Sequence, residues 1–423
     1  MAGSNKKTAD QHPVPERLLA NLWRKRAARR AWFRTSAGTR MRVLYPGRLS
    51  SAAGPDFRDA LLEVEGVGLV QGDVEIHVRQ RDWKGHGHGR DPRYNGVILH
   101  AALELDDSST ELQSGHSVPV VSLAPLLSGD PGPEDPQAGL SSWHLWTVLG
   151  RRGFPQPETA QEMGDLLDRA GDDRFHAKSA WFGSLLAEQD PEQTLYEGIL
   201  EGLGYHQNRQ PFIKLAGLAP YAALAGAAAD LAPEHRVQAI QYWLTRISGL
   251  AFGEETPVPP LFKAGFGPAM SAREWHLFRI RPGNHPLRRI AGAARLLDRF
   301  LERGLVAGLS LAARAGKPGK LTSALCISGG SGNTTACIGT ARGRDLAVNV
   351  VLPFFDALHT YRGEARGGGA YLELYQRFGK LQDNDLTREM TGQLLGPAWA
   401  GLVNCARRQQ GLLQLQRLLA GAS

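Results

Sequence analysis

Residues 71–78 read QGDVEIHV, and the fold turns on how this stretch is read. Val74, Ile76 and Val78 alternate with Asp73, Glu75 and His77, the period of two that defines a strand. The apolar face is ordinary. The other face carries two acids and a histidine in a row. A solvent-facing edge would account for it without any function. A site would account for it only if further polar residues converge there.

Upstream, "GPDF" sets Asp56 after a Gly-Pro turn, at the head of the strand "RDALLEVEG". Eighteen residues separate Asp56 from Glu75. Downstream, "DWKGHGHGRDPRYNGVILH" supplies His86, His88, Asp91, Tyr94, Asn95 and His100. Four of the 13 histidines fall in the stretch from His77 to His100. Singly, each reads as a loop residue or a satisfied core histidine. Together with the carboxylates they suit Zn²⁺ or Mn²⁺. Asp73, His86, His88, Asp91 and His100 are therefore candidates for an outer or alternative metal shell.

The strand signals run "RMRVLYPG", "RDALLEVEG", "VGLVQGDVEIHVRQ" and "GVILHAALELDD", with a loop and short helix before the last. A turn-borne Asp, a hairpin, Glu-x-basic on the next strand, a helical link and a further strand resemble the PD-(D/E)XK nuclease core. That resemblance implies Asp56 and Glu75 as ligands of Mg²⁺ or Mn²⁺, with His77 where a water-orienting lysine is expected. The residue types suit the chemistry. A cation held by carboxylates neutralises phosphate charge and lowers the pKa of bound water. Histidine can act as a base near neutral pH but cannot supply lysine's permanent charge. A cupin-like metal site is the rival for H-x-H, and the helix and strand after Asp91 fit it poorly.

At 423 residues the chain is too long for one compact core. Its 42% hydrophobic and 22% charged content is that of a folded protein. No apolar run reaches transmembrane length and the start lacks a secretory apolar core, so no membrane role and a cytoplasmic location are expected. Three scattered cysteines argue against a disulfide framework. A net charge of +7 permits a polyanionic partner without requiring one.

Residues 1–14 read as a disordered tail. From Pro15, Leu18, Leu19, Leu22 and Trp23 make an apolar helix stripe beside Arg24, Lys25, Arg26, Arg29 and Arg30. Residues 15–127 then form a small α/β domain, and 128–139, rich in Pro, Gly and acids, a linker. Residues 140–423 read as mainly helical, in two subdomains divided near 254–262. The fold class is thus α+β: a small mixed-sheet N-terminal domain followed by a larger helical region.

In the helical region "RIRPGNHPLRRI" gathers Arg279, Arg281, Arg288 and Arg289, candidates for gripping phosphate or for tying the turn to acids. "LGYHQNRQPF" reads as structural, and "ISGGSGNTTACIGTARG" lacks the lysine of a phosphate loop. "AGPDF", "GDVEIHV", "DW..HGH..DP.YN.VILH", "LGY..N..PF", "RIRPGNHPLRRIA" and "NVVLPF", in that order, resemble the uncharacterised bacterial family called domain of unknown function 2851. That family implies no activity. The expected function is a metal-dependent phosphodiesterase on DNA or RNA. The alternatives are a non-catalytic nucleic-acid-binding protein and a His-rich metal enzyme on a small substrate. Oligomeric state is not legible.

Overall fold

The computed structural model describes residues 14–30, 32–50, 53–127, 146, 149–205, 208–250, 269–277, 280, 282–329, 336–363, 369–383 and 385–420. The expected tail (apart from Val14), the 128–139 linker, the 254–262 division, and Arg279 and Arg281 lie outside them. Two compact units emerge. One takes the chain up to Glu158 with Arg388–Pro397 and the end from Leu415; the other takes Thr159–Thr387 and Ala398–Gln414. The first carries a mixed sheet and the second is helical, so the protein is α+β.

Helix α1 (Glu16–Arg26) precedes strands β1 (Phe33–Arg34), β2 (Arg40–Tyr45), β3 (Arg48–Leu49), β4 (Phe57–Val64) and β5 (Gly68–Arg79). After the short helix α2 (Asp82–Gly85) come β6 (Val97–Glu104) and β7 (Val120–Ser122). The sheet order is β1-β2-β4-β5-β6-β7, with β3 beside β4. Pairings are antiparallel up to β4–β5, and parallel for β5–β6 and β6–β7. Thr35 and Val121 form a further bridge, so the two ends of the sheet meet.

One face of this curled sheet is conventional. Leu19 and Trp23 of α1 pack with Val43, Phe57, Leu62, Val74, Ile76, Leu99 and Val121. Trp23 also donates its indole N–H to the carbonyl of Pro46 at 2.9 Å. Of the expected helix stripe, Leu18 stays 43% exposed, because consecutive residues on a helix diverge by about 100° and Leu19 takes the core position.

The second face answers the question raised by QGDVEIHV. It does not meet solvent: Asp73, Glu75 and His77 are 7%, 5% and 1% exposed. The crossover between parallel β5 and β6 folds over it and brings Trp83 and Tyr94, which cluster with Val97 of β6 and with Leu112 and Val118 from the connection to β7. Antiparallel neighbours need only a tight turn, whereas parallel ones require such a crossover. That requirement is what places residues 80–96 above the polar face of β5.

The helical unit has its own core, built from Ala160–Leu186, Pro191–Leu203, Pro233–Ser248, Pro286–Phe300 and Leu352–Tyr361 among others. Phe175, Phe182, Tyr196, Trp243, Phe354 and Phe355 fill it. The first of these helices starts on a capping box, with Thr159 and Glu162 satisfying each other's backbone N–H. Asp190 caps the next through Glu192 and Gln193. Among the described residues no single helix is long and apolar enough to cross a membrane.

Candidate metal centre

The site begins with a β-bulge. Phe57 pairs with Val74 and Ala60 with Gly72, so two residues of β4 face one of β5. Asp59 absorbs the irregularity with φ +58°, a left-handed conformation that aspartate tolerates better than most side chains. The bulge seats Asp56 at the head of β4 directly against Glu75. Glu75 Oε2 accepts the backbone N–H of Asp56 at 2.9 Å, and Asp56 Oδ2 accepts that of Ile76 at 3.0 Å. Burial, reinforced by the charge of Glu75, pushes the Asp56 carboxyl up to about 7.

On the other side of Glu75 stand imidazoles. Oε1 of Glu75 lies 3.3 Å from Nε2 of His88 and 3.7 Å from Nε2 of His77. Neither nitrogen has a hydrogen-bond partner, although both are buried. Nitrogen atoms of His77, His86 and His88 all lie within 4.8 Å of one another. Gly87, at φ +74°, makes the left-handed turn that lets the flanking histidines of "HGH" reach one point. His86 itself is exposed, at the mouth of the site.

The other ring nitrogen of His77 is occupied. Nδ1 of His77 sits 2.9 Å from Nε2 of His100, and Nδ1 of His100 sits 2.9 Å from Oγ1 of Thr110. Burial, then the neighbouring His100, His88 and His86, drive His77 down to about 2. Burial, with His88 next, takes His100 to about 4. Both rings are thus uncharged near neutral pH. Trp83 packs edge-on to His88 and tilted over His100, at 5.4 Å from each, and donates its N–H to the carbonyl of Glu111. Tyr94 stacks on His88 at 4.0 Å; burial, with Glu75 next, raises its hydroxyl to about 12, so it remains protonated.

The candidates from sequence therefore divide. Asp56, Glu75, His77, His86 and His88 come together. Asp73 does not join them: its carboxylate pairs with Arg58 and accepts the backbone N–H of Asp59. Burial raises its pKa and Arg58 opposes the rise. Asp91 caps the turn Pro92–Tyr94 and is held by Arg93, whose hydrogen bonds bring it down to about 2. His100 touches the site only through His77, since both its nitrogens are engaged. Thr110 and Glu111 gave no signal in sequence, because "DDSSTE" reads as loop.

In the helical unit, Arg289 is 5% exposed and bonds the carbonyl of Cys337, the hydroxyl of Tyr205 and Oδ1 of Asn284. Those internal acceptors take its two terminal nitrogens, while its buried Nε has no hydrogen-bond partner. Arg288 reaches the carbonyl of Ala336 at 3.3 Å. Of the "LGY..N..PF" stretch, Phe212 is core, while Asn208 clamps the backbone of His276 through both ends of its amide. Tyr205 is 37% exposed, and the Arg342 guanidinium stacks on its ring.

The donor set fits a cation. Metal–ligand bonds of about 2.0–2.2 Å place neighbouring ligand atoms roughly 3–3.5 Å apart. The 3.3 Å from Glu75 Oε1 to His88 Nε2 is of that size, and the 3.7 Å to His77 Nε2 is slightly longer. Two buried lone-pair-bearing nitrogens beside a carboxylate otherwise leave polar atoms unsatisfied, at a cost of about 1–3 kcal/mol each. Imidazole donors suit Zn²⁺ and Mn²⁺ better than Mg²⁺, which prefers oxygen ligands and its own waters. Packing supports the geometry as well. Trp83→Ala is expected to cost about 3–5 kcal/mol, because it empties the space under His88 and His100. Denaturant melting of the variant measures this, and a loss below about 1 kcal/mol would mean that the cluster does not depend on Trp83.

Neither the curated proteins nor the solved structures yield a match to this chain. Residues 16–240, from the start of α1 through the whole of this site and on into the helical unit, match the family described as "Protein of unknown function (DUF2851)"; with more than half of its length so matched, the chain belongs to that family.

Proposed function

We propose that the protein is a metal-dependent phosphodiesterase acting on nucleic acid, with a divalent cation held by Glu75, His77 and His88. The observation that carries this reading is the meeting of Glu75 Oε1 with two buried, unpartnered histidine nitrogens at 3.3 and 3.7 Å. When bound, such a cation would neutralise a phosphate oxygen and make water acidic enough to attack near neutral pH.

The chain's own residues complete the arrangement. Asp56 brings a second carboxylate against Glu75, as the resemblance to the PD-(D/E)XK core implies. His86, exposed beside His77 and His88, is placed to close the ligand set from the solvent side. Tyr94 keeps its hydroxyl protonated and its ring stacked on His88, which fixes that imidazole. The phosphodiester substrate is supported by the strand order around Asp56 and Glu75. The +7 charge and the exposed Arg24, Lys25 and Arg26 of α1 suit a polyanion.

A second reading, a metal enzyme acting on a small substrate, is favoured by the three imidazoles, more than a nuclease core of carboxylates requires. The test is cleavage of labelled single- and double-stranded DNA and RNA with Mg²⁺, Mn²⁺ or Zn²⁺. Metal-dependent cleavage supports the proposal. Tight metal binding with no cleavage of any polymer moves the small-substrate reading ahead. Nucleic-acid binding with no metal requirement favours a non-catalytic binder.

One substitution separates two roles for His77. As a ligand it cannot be replaced by a cation, so His77→Lys is expected to weaken Mn²⁺ or Zn²⁺ binding by ~100-fold or more. As a stand-in for the nuclease lysine it would accept the change and keep cleavage. Titration calorimetry beside the cleavage assay distinguishes the two outcomes.

A further inference from the structure

We infer that Thr110 and His100 are positioning residues that set the tautomer of His77, keeping its hydrogen on Nδ1 and a bare lone pair on Nε2. The inference rests on the metal reading of the site and adds the device that would prepare the ligand.

The geometry is a chain of three polar groups with no water-accessible gap. Thr110 Oγ1, His100 Nδ1, His100 Nε2 and His77 Nδ1 follow one another with contacts of 2.9 Å and 2.9 Å. Thr110, His100 and His77 are 3%, 0% and 1% exposed. Each nitrogen–nitrogen or nitrogen–oxygen contact holds one hydrogen, so fixing one end fixes the other. Two directions are open. Running from Thr110 inwards, the hydroxyl donates to His100, His100 donates to His77, and His77 must carry its hydrogen on Nε2. That N–H would be buried with no acceptor in range, since Glu75 Oε1 is 3.7 Å away.

Running outwards, His77 Nδ1–H donates to His100 Nε2, and His100 Nδ1–H donates to Thr110 Oγ1. The bare Nε2 of His77 then faces the point where Glu75 and His88 also present ligand atoms. A ligating histidine commonly donates its other N–H to an acceptor that fixes ring and tautomer. Here the acceptor is a second histidine, made an acceptor in turn by a threonine. Register supports the arrangement: Glu75 pairs with His100 across the parallel β5–β6 ladder, so His100 cannot drift from His77 without breaking the sheet.

The test uses the full chain with ¹⁵N-labelled histidine, metal-free and then titrated with Zn²⁺. Ring ¹⁵N shifts, assigned with single histidine variants, report which nitrogen of His77 carries the hydrogen. The expected result for the metal-free wild type is Nδ1–H with Nε2 bare; an Nε2–H tautomer overturns the relay. Thr110→Val keeps the shape but cannot accept, so His77 should shift toward Nε2–H and Zn²⁺ affinity should fall by about 10–100-fold. Thr110→Ser should restore both. A folded Thr110→Val protein with unchanged tautomer and affinity also overturns the relay. If Thr110→Val does not fold, the wild-type spectrum decides. If the wild type binds no metal, the metal reading fails alone, and the His77 tautomer still judges the relay.

Discussion

Replacing Glu75 by glutamine is expected to weaken divalent-cation binding by ~100-fold or more and to abolish hydrolysis, while the protein keeps its fold. Glutamine has nearly the volume of glutamate, and its amide oxygen can still accept the backbone N–H of Asp56. What disappears is the negative charge between the Nε2 atoms of His77 and His88. Calorimetric titration with Mn²⁺ and Zn²⁺, run beside thermal melting, separates loss of binding from loss of folding. Wild-type affinity in a folded Glu75→Gln protein would exclude Glu75 as a ligand.

The second large effect runs in the opposite direction for stability. Asp56→Asn should make the metal-free protein more stable at pH 8, by on the order of 1–3 kcal/mol. The sign follows from proton counting. Burial, with the charge of Glu75 next, holds the Asp56 carboxyl up at about 7 in the folded chain, against 3.8 for an unperturbed carboxyl. Between those values the native state holds more protons than the unfolded one, so stability falls as pH rises and levels off above about 7. Asparagine has no charge to confine beside Glu75, and its oxygen can still accept the N–H of Ile76. The advantage of the variant should therefore vanish near pH 4 and grow toward pH 7. Added Zn²⁺ should reverse the order, since it favours the charged carboxylate. Parallel melting curves for wild type and variant across this range would rule out the confinement of charge at Asp56.

How much of this was legible beforehand depends on the kind of signal. The alternation in QGDVEIHV identified the strand and its polar face, and the histidine-rich crossover marked where partners would come from. Asp56 and Glu75 could be paired because a hairpin brings such positions together. Sequence could not reveal that Asp73, two residues before Glu75, is claimed by Arg58 after the bulge at Asp59. Bulges shift register by one residue and leave only a faint trace in composition. Asp91, a candidate for the outer or alternative shell, caps the turn Pro92–Tyr94, because a carboxylate beside Pro-Arg meets its own backbone first. Thr110 was invisible, since a hydroxyl acquires a role only from its three-dimensional partner. In the helical unit, helix ends and apolar faces were readable, whereas the burial of Arg289 against Tyr205 and Cys337 depends on long-range packing.

The central claim is that Glu75, His77 and His88 bind one cation. Anomalous diffraction from crystals grown with Mn²⁺ or Zn²⁺, collected on both sides of the metal edge, tests it most directly. The expected result is a single strong peak about 2.0–2.2 Å from Glu75 Oε1, His77 Nε2 and His88 Nε2. No peak there under saturating metal, or a peak ligated by other residues with these two nitrogens left free, would contradict it.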